Sequence, residues 1–284
     1  MAAIGNLPNL ADVAKMTNPD GTAAFVIDVL TQYDDVLQAL PMKPSNSEVG
    51  HVVTMTSGRP SVSTTRINQG VAKSKSTTTQ RVDTMALIQG RSEVDTKMKK
   101  AVKNYAAFRA EQNARFVQAM KEKAHRLIFY GDENADATEF TGLSTRYNSL
   151  TGENGDYITD CGGAGSDNAS IWVMDIGGSE GVSLIYPEAS AGGLETKEVF
   201  DEKVTDPDSL PYYADVGLYD WTMGLTVPHP ARVHRLCNID INALESAGDS
   251  SDTSPALLKK LRTAGVQDLQ CIYTNELDQG AYIS

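Results

Sequence analysis

Between Ser92 and Tyr130 the chain contains neither glycine nor proline. The run predicts one helix from about Asp95 to Tyr130, with Ser92 a candidate cap and Gly131 a terminator. Such a helix is roughly 50 Å long at 1.5 Å per residue, about three times the globular average. On it Met98, Val102, Tyr105, Phe116, Met120 and Leu127 share one stripe, while Lys99, Lys100, Lys103, Arg115, Lys121 and Arg126 lie away from it. The preceding stretch has the opposite character. No aromatic residue stands between Tyr33 and Tyr105, and Pro44 to Gly90 is dominated by Ser, Thr, Val and Lys. Period-two runs such as Val53-Thr54-Met55-Thr56, with a turn at Ser57-Gly58-Arg59-Pro60, predict a long two-stranded arm. A lone ribbon without large side chains is marginal in water, so it needs a surface to lie on, most economically a neighbouring subunit. The alternative, an irregular surface loop, is uncommon at this length. Together these segments suit a subunit shaped for assembly rather than a compact enzyme.

Charge divides along the chain. The formal net charge is −12, which argues against a nucleic-acid binder working through a general basic surface. Residues 96–130 carry nine basic and two acidic side chains, residues 131–284 eight and 26. The split fits either a solvated helix beside an acidic domain or complementary patches on neighbouring copies. Three scattered cysteines, Cys161, Cys237 and Cys271, imply no disulfide framework and fit a reducing site of synthesis. Met1 to Leu10 lacks the basic and apolar regions of a secretory signal, and there is no run of 18 apolar residues. Neither secretion by a standard signal nor membrane spanning is expected.

Elsewhere, Asn18-Pro19 opens a helix that Pro41 stops, and Ser254-Pro255 opens another that ends at Gly265. Strands are expected over Ile171 to Ile176, Val182 to Tyr186, Trp221 to Val227 and Arg232 to Ile241. Cys271 to Thr274 is a further candidate strand with no evident partner. The periodicity gives an α+β chain, helix early and sheet late.

No constellation carries chemistry. His229, His234 and Cys237 come nearest to a metal cluster, yet the short-spaced ligand pairs of structural zinc sites are absent. The glycines of Asp160-Cys161-Gly162-Gly163-Ala164-Gly165-Ser166 lack the Lys-Ser/Thr ending of a phosphate loop and read as a turn. The adjacent carboxylates Asp34 and Asp35 lie on a solvated helix face. No residue is assigned a catalytic, cofactor-binding or metal role, and no cofactor is expected.

The order of parts, with the long helix ending in Phe129-Tyr130-Gly131-Asp132, resembles the major capsid proteins of tailed bacteriophages with the Hong Kong 97 fold. Asn68-Gln69-Gly70-Val71, Ser92-Glu93-Val94-Asp95, Phe140-Thr141-Gly142-Leu143, Gly165-Ser166-Asp167-Asn168-Ala169-Ser170-Ile171-Trp172 and Cys237-Asn238-Ile239-Asp240 are similar to capsid subunits of epsilon-fifteen-like podophages. The resemblance implies an N-arm at 1–45, an E-loop at 46–92, a P-domain at 93–242 with a spine helix at 93–131, and the start of an A-domain at 243–284. Much of that A-domain is then expected to be missing, leaving the segment from about Ser246 loosely held. The implied role is a non-enzymatic subunit that self-assembles, as hexamers and pentamers, into an icosahedral head around double-stranded DNA bound without sequence specificity. Scaffold and cement proteins and a portal at one vertex are the implied partners, with no membrane. The protein is then made in the host bacterial cytoplasm and resides in the virion. No match identifies a cross-linking pair; Lys73 and Lys75 in the ribbon read as solvated or ion-paired. The alternative is an uncharacterised soluble enzyme or a surface-binding module.

Overall fold

Alternation of side chains, rather than overall hydrophobicity, organises the first half of the chain. In Thr77–Asp95 (β3, 19 residues) Asp83, Ala86, Ile88, Ser92 and Val94 are buried, and most of the residues beside them are not. Gly50–Gly58 (β2) runs antiparallel to it from Gly50 opposite Thr84 to Gly58 opposite Thr77, with a register shift between Thr56 and Gly58. The expected ribbon is therefore present.

The computed structural model describes residues 34–48, 50–163, 168–178, 180–190, 192–206, 209–240 and 272–274. Asp34–Ala39 (α1) belongs to the helix expected up to Pro41. The earlier part of that helix, the helix expected from Pro255 to Gly265, and Ala164 to Ser166 of the glycine-rich turn lie outside the described residues.

The remaining strands are Met42–Pro44 (β1), Ile158–Asp160 (β4), Asn168–Met174 (β5), Ser183–Tyr186 (β6), Glu195–Thr205 (β7), Pro211–Thr226 (β8), Val233–Asp240 (β9) and Ile272–Thr274 (β10). One sheet has the order β1-β6-β8-β3-β2, with β7 also paired to β8; a second has the order β10-β5-β9-β4. The described residues divide into two compact units, those within 34–37, 87–126 and 192–223 forming one and those within 38–86, 127–191 and 224–274 the other.

The long helix departs from expectation. It starts at Tyr105, not near residue 93 to 95, and runs to Tyr130 (α3, 26 residues), about 39 Å at 1.5 Å per residue. The preceding residues continue β3 as far as Asp95, because Ser92 and Val94 are buried on one face and Thr96 N donates to Tyr213 O at 3.1 Å. A single turn, Met98–Ala101 (α2), follows, and Val102 is extended at φ −103° and ψ 127°. Asn104 restarts the helix, its side-chain oxygen accepting from Ala107 N at 3.2 Å. The absence of glycine and proline permits a helix here; a β-branched Val and a capping Asn interrupt it. The apolar residues still converge: Val94, Met98 and Phe108 form one buried cluster with Val102 and Tyr105 against it. Val204, Ala214 and Val216 of the β7–β8 hairpin form another.

In the second unit Trp172 is fully buried, its ring 6.3 Å from Phe129 and 6.2 Å from Tyr147, with the Arg235 guanidinium 4.9 Å from its centroid. Val173, Leu236 and Ile239 form a separate buried cluster in the same unit. Strand β10 corrects another expectation. Ile272, Tyr273 and Thr274 pair with Val173, Trp172 and Ile171, so this strand has a partner in β5.

Candidate assembly surfaces

The ribbon's base and tip are built differently. At the base, Asp83 is 2% exposed and surrounded by donors from its own strand and from two other segments of the same unit. Arg81 approaches it with Nε at 3.0 Å and Nη2 at 3.4 Å, Arg146 Nη1 lies at 2.8 Å, and Thr226 Oγ1 donates at 2.8 Å. The cations are themselves anchored: Arg81 Nη2 donates to Val227 O at 2.6 Å, and Arg146 donates to Thr141 O and Leu225 O, both at 3.1 Å. Burial lowers the proton affinity of Arg146, and Asp83 opposes that shift. A buried carboxylate held by two guanidiniums and a hydroxyl fixes its neighbours, because each displaced group leaves another buried charge unpaired. At the outer edge of β2 the Asn46 side chain donates to Val52 O at 2.9 Å and accepts from Val52 N at 2.7 Å, which closes one step of the open edge.

Beyond Gly58 the ribbon loses all cover. Every residue from Arg59 to Gln80 is exposed, including Val62 (91%), Ile67 (95%) and Val71 (61%). Lys73 and Lys75 are exposed there too. The tip keeps one turn, with Gln69 N donating to Arg66 O at 3.1 Å and Asn68 in the left-handed region at φ 70°. Ser74 Oγ donates to Ser61 O at 2.9 Å across it.

In the other unit a second buried carboxylate, Asp215, accepts from Tyr105 Oη at 2.6 Å, Lys99 Nζ at 3.0 Å and Asp201 N at 3.1 Å. Burial pushes its carboxyl up, and these hydrogen bonds outweigh burial, holding it below the usual value. Burial and the hydrogen bond to Asp215 raise the Tyr105 phenol well above its ordinary range. The basic residues at the start of the helix are therefore not uniformly free for a neighbour. Lys99 already meets Asp215 and Asp201 of its own chain, and Arg109 is buried with Nη1 on Ser92 Oγ at 3.3 Å. Arg115 pairs with Glu111 one turn away at 2.9 Å. Lys100 and Lys103 remain exposed.

The sequence's metal candidates are spread over a turn and a strand. His229 Nδ1 accepts from Ala231 N at 3.1 Å, whereas His234 is buried in β9 with Nε2 3.2 Å from Thr159 Oγ1. Cys237 is buried farther along β9; Cys161 N donates to Cys237 O at 2.9 Å, and neither cysteine is in a disulfide. Among the described residues no three His, Cys, Asp or Glu side chains gather as a metal site, and no helix is long and apolar enough to cross a membrane. At the glycine-rich turn, Asp160 Oδ1 accepts from Gly162 N at 2.8 Å and Asn238 Nδ2 at 3.0 Å, so this carboxylate closes the turn.

A stiff base, a bare tip and a long helix are features of a shell subunit, and comparison with known proteins decides the matter. A family model described as major capsid protein GP7 matches residues 18–277. The chain belongs to this major capsid protein family. It is similar to the subunit in the near-atomic structure of bacteriophage Epsilon15, with a TM-score of 0.70 and 29% identity over 93% of this chain and 80% of that one. At the level of fold alone it also resembles the SrpI encapsulin of Synechococcus elongatus (TM-score 0.54, 12% identity, 83% of this chain, 96% of that one). The capsid of Myoviridae phage XM1 gives a TM-score of 0.53 at 7% identity, over 83% of this chain and all of the other. The fold is Hong Kong 97-like α+β, and this major capsid protein is a structural component of the virion that assembles with other copies into an icosahedral shell.

Sequence reasoning passed over the residues that organise the ribbon base. Arg81 and Asp83, two apart and so on one face of a strand, were the available signal; Arg146 and Thr226 are too distant in sequence for any spacing to announce them. Strand β7 was also missed, because its sequence, ETKEVFDEKVT, is more than half charged.

Proposed function

We propose that this major capsid protein builds its shell by laying the ribbon of each copy across a neighbouring copy, and that it does so without catalytic residues. The observation that carries the reading is the uninterrupted exposure of Arg59 to Gln80 with Val62, Ile67 and Val71 bare, attached to a base whose polar groups are buried and paired. Apolar side chains at a bare ribbon end gain by association and gain nothing by remaining in water. In this reading residues 1–45 form the N-arm, 46–92 the E-loop, 93–242 the P-domain with the spine, and 243–284 the start of the A-domain. Hexamers and pentamers compose the shell, scaffold and cement proteins and a portal accompany it, and packaged double-stranded DNA is held without sequence specificity.

The test replaces Arg59 to Ser76 by Asn-Gly, a two-residue turn suited to joining Gly58 to Thr77. The expected product is a folded subunit with unchanged unfolding midpoint that forms no shells in electron micrographs. Shells at normal yield from this variant would refute the proposed role of the ribbon.

A further inference from the structure

One face of α3 and one face of β8 meet as a ladder. Tyr105, Arg109 and Asn113 recur every four residues on the helix, and Asp215, Gly217 and Tyr219 every second residue on the strand. The first rung, Tyr105 on Asp215, is closed by a hydrogen bond. The middle rung is not. Arg109 is 5% exposed, and its Nη1 lies 3.3 Å from Ser92 Oγ. Among the described residues no acceptor meets its Nε or its Nη2. Tyr219 is 3% exposed with its ring stacked on Phe116 at 5.6 Å, and its Oη also lacks a partner there. The two groups converge on one place: a Cβ built on Gly217 would lie 3.0 Å from Arg109 Nη2 and 3.0 Å from Tyr219 Oη, its nearest neighbours. Glycine keeps carbon out of the space that both donors face.

Charge is the larger problem. A guanidinium taken out of water needs a counter-charge as well as acceptors, and a neutral partner such as water supplies only the second. The carboxylates near it are committed. Asp215 accepts from Tyr105, Lys99 and Asp201 N. Glu198, opposite Gly217 on β7, is exposed, and its Oε1 accepts from Asn113 Nδ2 at 2.8 Å. Burial raises the Tyr219 phenol, so its oxygen keeps the proton it has to donate. We propose that Arg109 and Tyr219 bind a small monovalent inorganic anion of the chloride type beside Gly217, which supplies the missing counter-charge between α3 and β8 and ties the stability of the subunit to the anion present. A monatomic ion suits the place, because even a methyl group on residue 217 would press on both donors.

The experiment unfolds the unassembled full chain in urea at constant ionic strength while sodium gluconate is exchanged for sodium chloride. Gluconate is too large to reach a guanidinium that is 5% exposed. The midpoint is expected to rise by roughly 0.3 M or more as chloride replaces gluconate, since a ligand of the folded state alone stabilises it by mass action. Arg109→Met removes the charge and keeps the bulk, and its midpoint should be the same in both salts. Gly217→Ala should lose most of the chloride response whatever its own stability, and Tyr219→Phe, which keeps the ring packing, should lose part of it. Glu198→Gln removes a neighbouring negative charge, so it should keep the response or enlarge it. A parent midpoint indifferent to chloride overturns the proposal. If Glu198→Gln is then less stable than the parent, Glu198 itself is the counter-charge. A chloride response that survives in both Arg109→Met and Gly217→Ala overturns the proposal too, because the ion then binds elsewhere.

Discussion

Replacing Asp83 by Ala should be among the most damaging single changes in the chain. The carboxylate is buried and pairs with Arg146, whose side chain is only 8% exposed, so its removal leaves a guanidinium inside the protein without its counter-charge. Breaking one side of such a pair costs about 3–5 kcal/mol. Two local details adjust that figure. Arg146 keeps its bonds to Thr141 O and Leu225 O, which favours the lower end, while the buried Thr226 hydroxyl loses its acceptor, worth about 1–3 kcal/mol. Arg81 is 29% exposed on its side chain and can turn to water, so its share is at most about 1 kcal/mol. The expected total is roughly 3–5 kcal/mol, read as a fall in the urea midpoint of about 1 M or more for an unassembled chain. The paired variant Asp83→Ala/Arg146→Met removes the orphaned charge and should recover part of the loss. A loss below about 1 kcal/mol for Asp83→Ala, or a double variant no more stable than the single one, would refute the argument that buried charge fixes the ribbon base.

Gly131→Ala tests the close approach at the helix end. A Cβ there would meet Phe140 O at 2.3 Å and Leu127 O at 2.7 Å, both backbone atoms, so a loss of about 1–3 kcal/mol or more is expected in the same urea assay. Asp215→Asn tests a pH dependence. A carboxyl held below its ordinary value contributes stability that is complete above its unfolded pKa of about 4 and disappears as pH falls through the lower folded value. The variant should be less stable at neutral pH and should lose less on acidification below about pH 4, measured by urea unfolding at stepped pH. Tyr105→Phe tests the opposite limb. The raised phenol contributes stability that is complete below about pH 10 and is lost as pH climbs towards the folded value, so the variant's stability should fall less steeply above pH 10 than the parent's.

Elements whose signal is local were legible in the sequence, and those governed by distant partners were not. Strands β5, β6 and β9 announce themselves by apolar residues bounded by turns, and β2 with the outer part of β3 by alternation. The start of the long helix was misplaced because missing glycine and proline is a permissive signal: Ser92 and Val94 follow β3 into burial, and a sequence window does not display that contact. Strand β7 escaped because its only buried side chain is Val204. Its partner β8 fixes it, from Glu195 opposite Asp220 to Thr205 opposite Pro211. The assembly surface was half visible. The lack of aromatic residues in the ribbon marked it as needing a neighbour, but the exposed Val62, Ile67 and Val71 at its tip carry no motif at all.

Base and tip of the ribbon solve opposite problems, which separates their consequences. At the base, charge is buried among partners fixed by two guanidiniums and a hydroxyl, so the ribbon leaves the subunit in one direction and little orientational freedom is left to lose on docking. At the tip, four like charges and small apolar residues separated by polar ones oppose local collapse, keeping Val62, Ile67 and Val71 available. Variants at Asp83 should therefore lower both the unfolding midpoint of the subunit and the yield of shells. Changes at Arg66 or Ile67 should lower yield and leave the midpoint where it was, because an exposed residue with no packed neighbours has little folding free energy to give up. Measuring both quantities on the same panel distinguishes a rigid lever with a sticky end from a loop that merely folds when covered. In the latter case the base variants would change yield no more than the tip variants do, and the buried charges at Asp83 would serve the stability of the subunit alone.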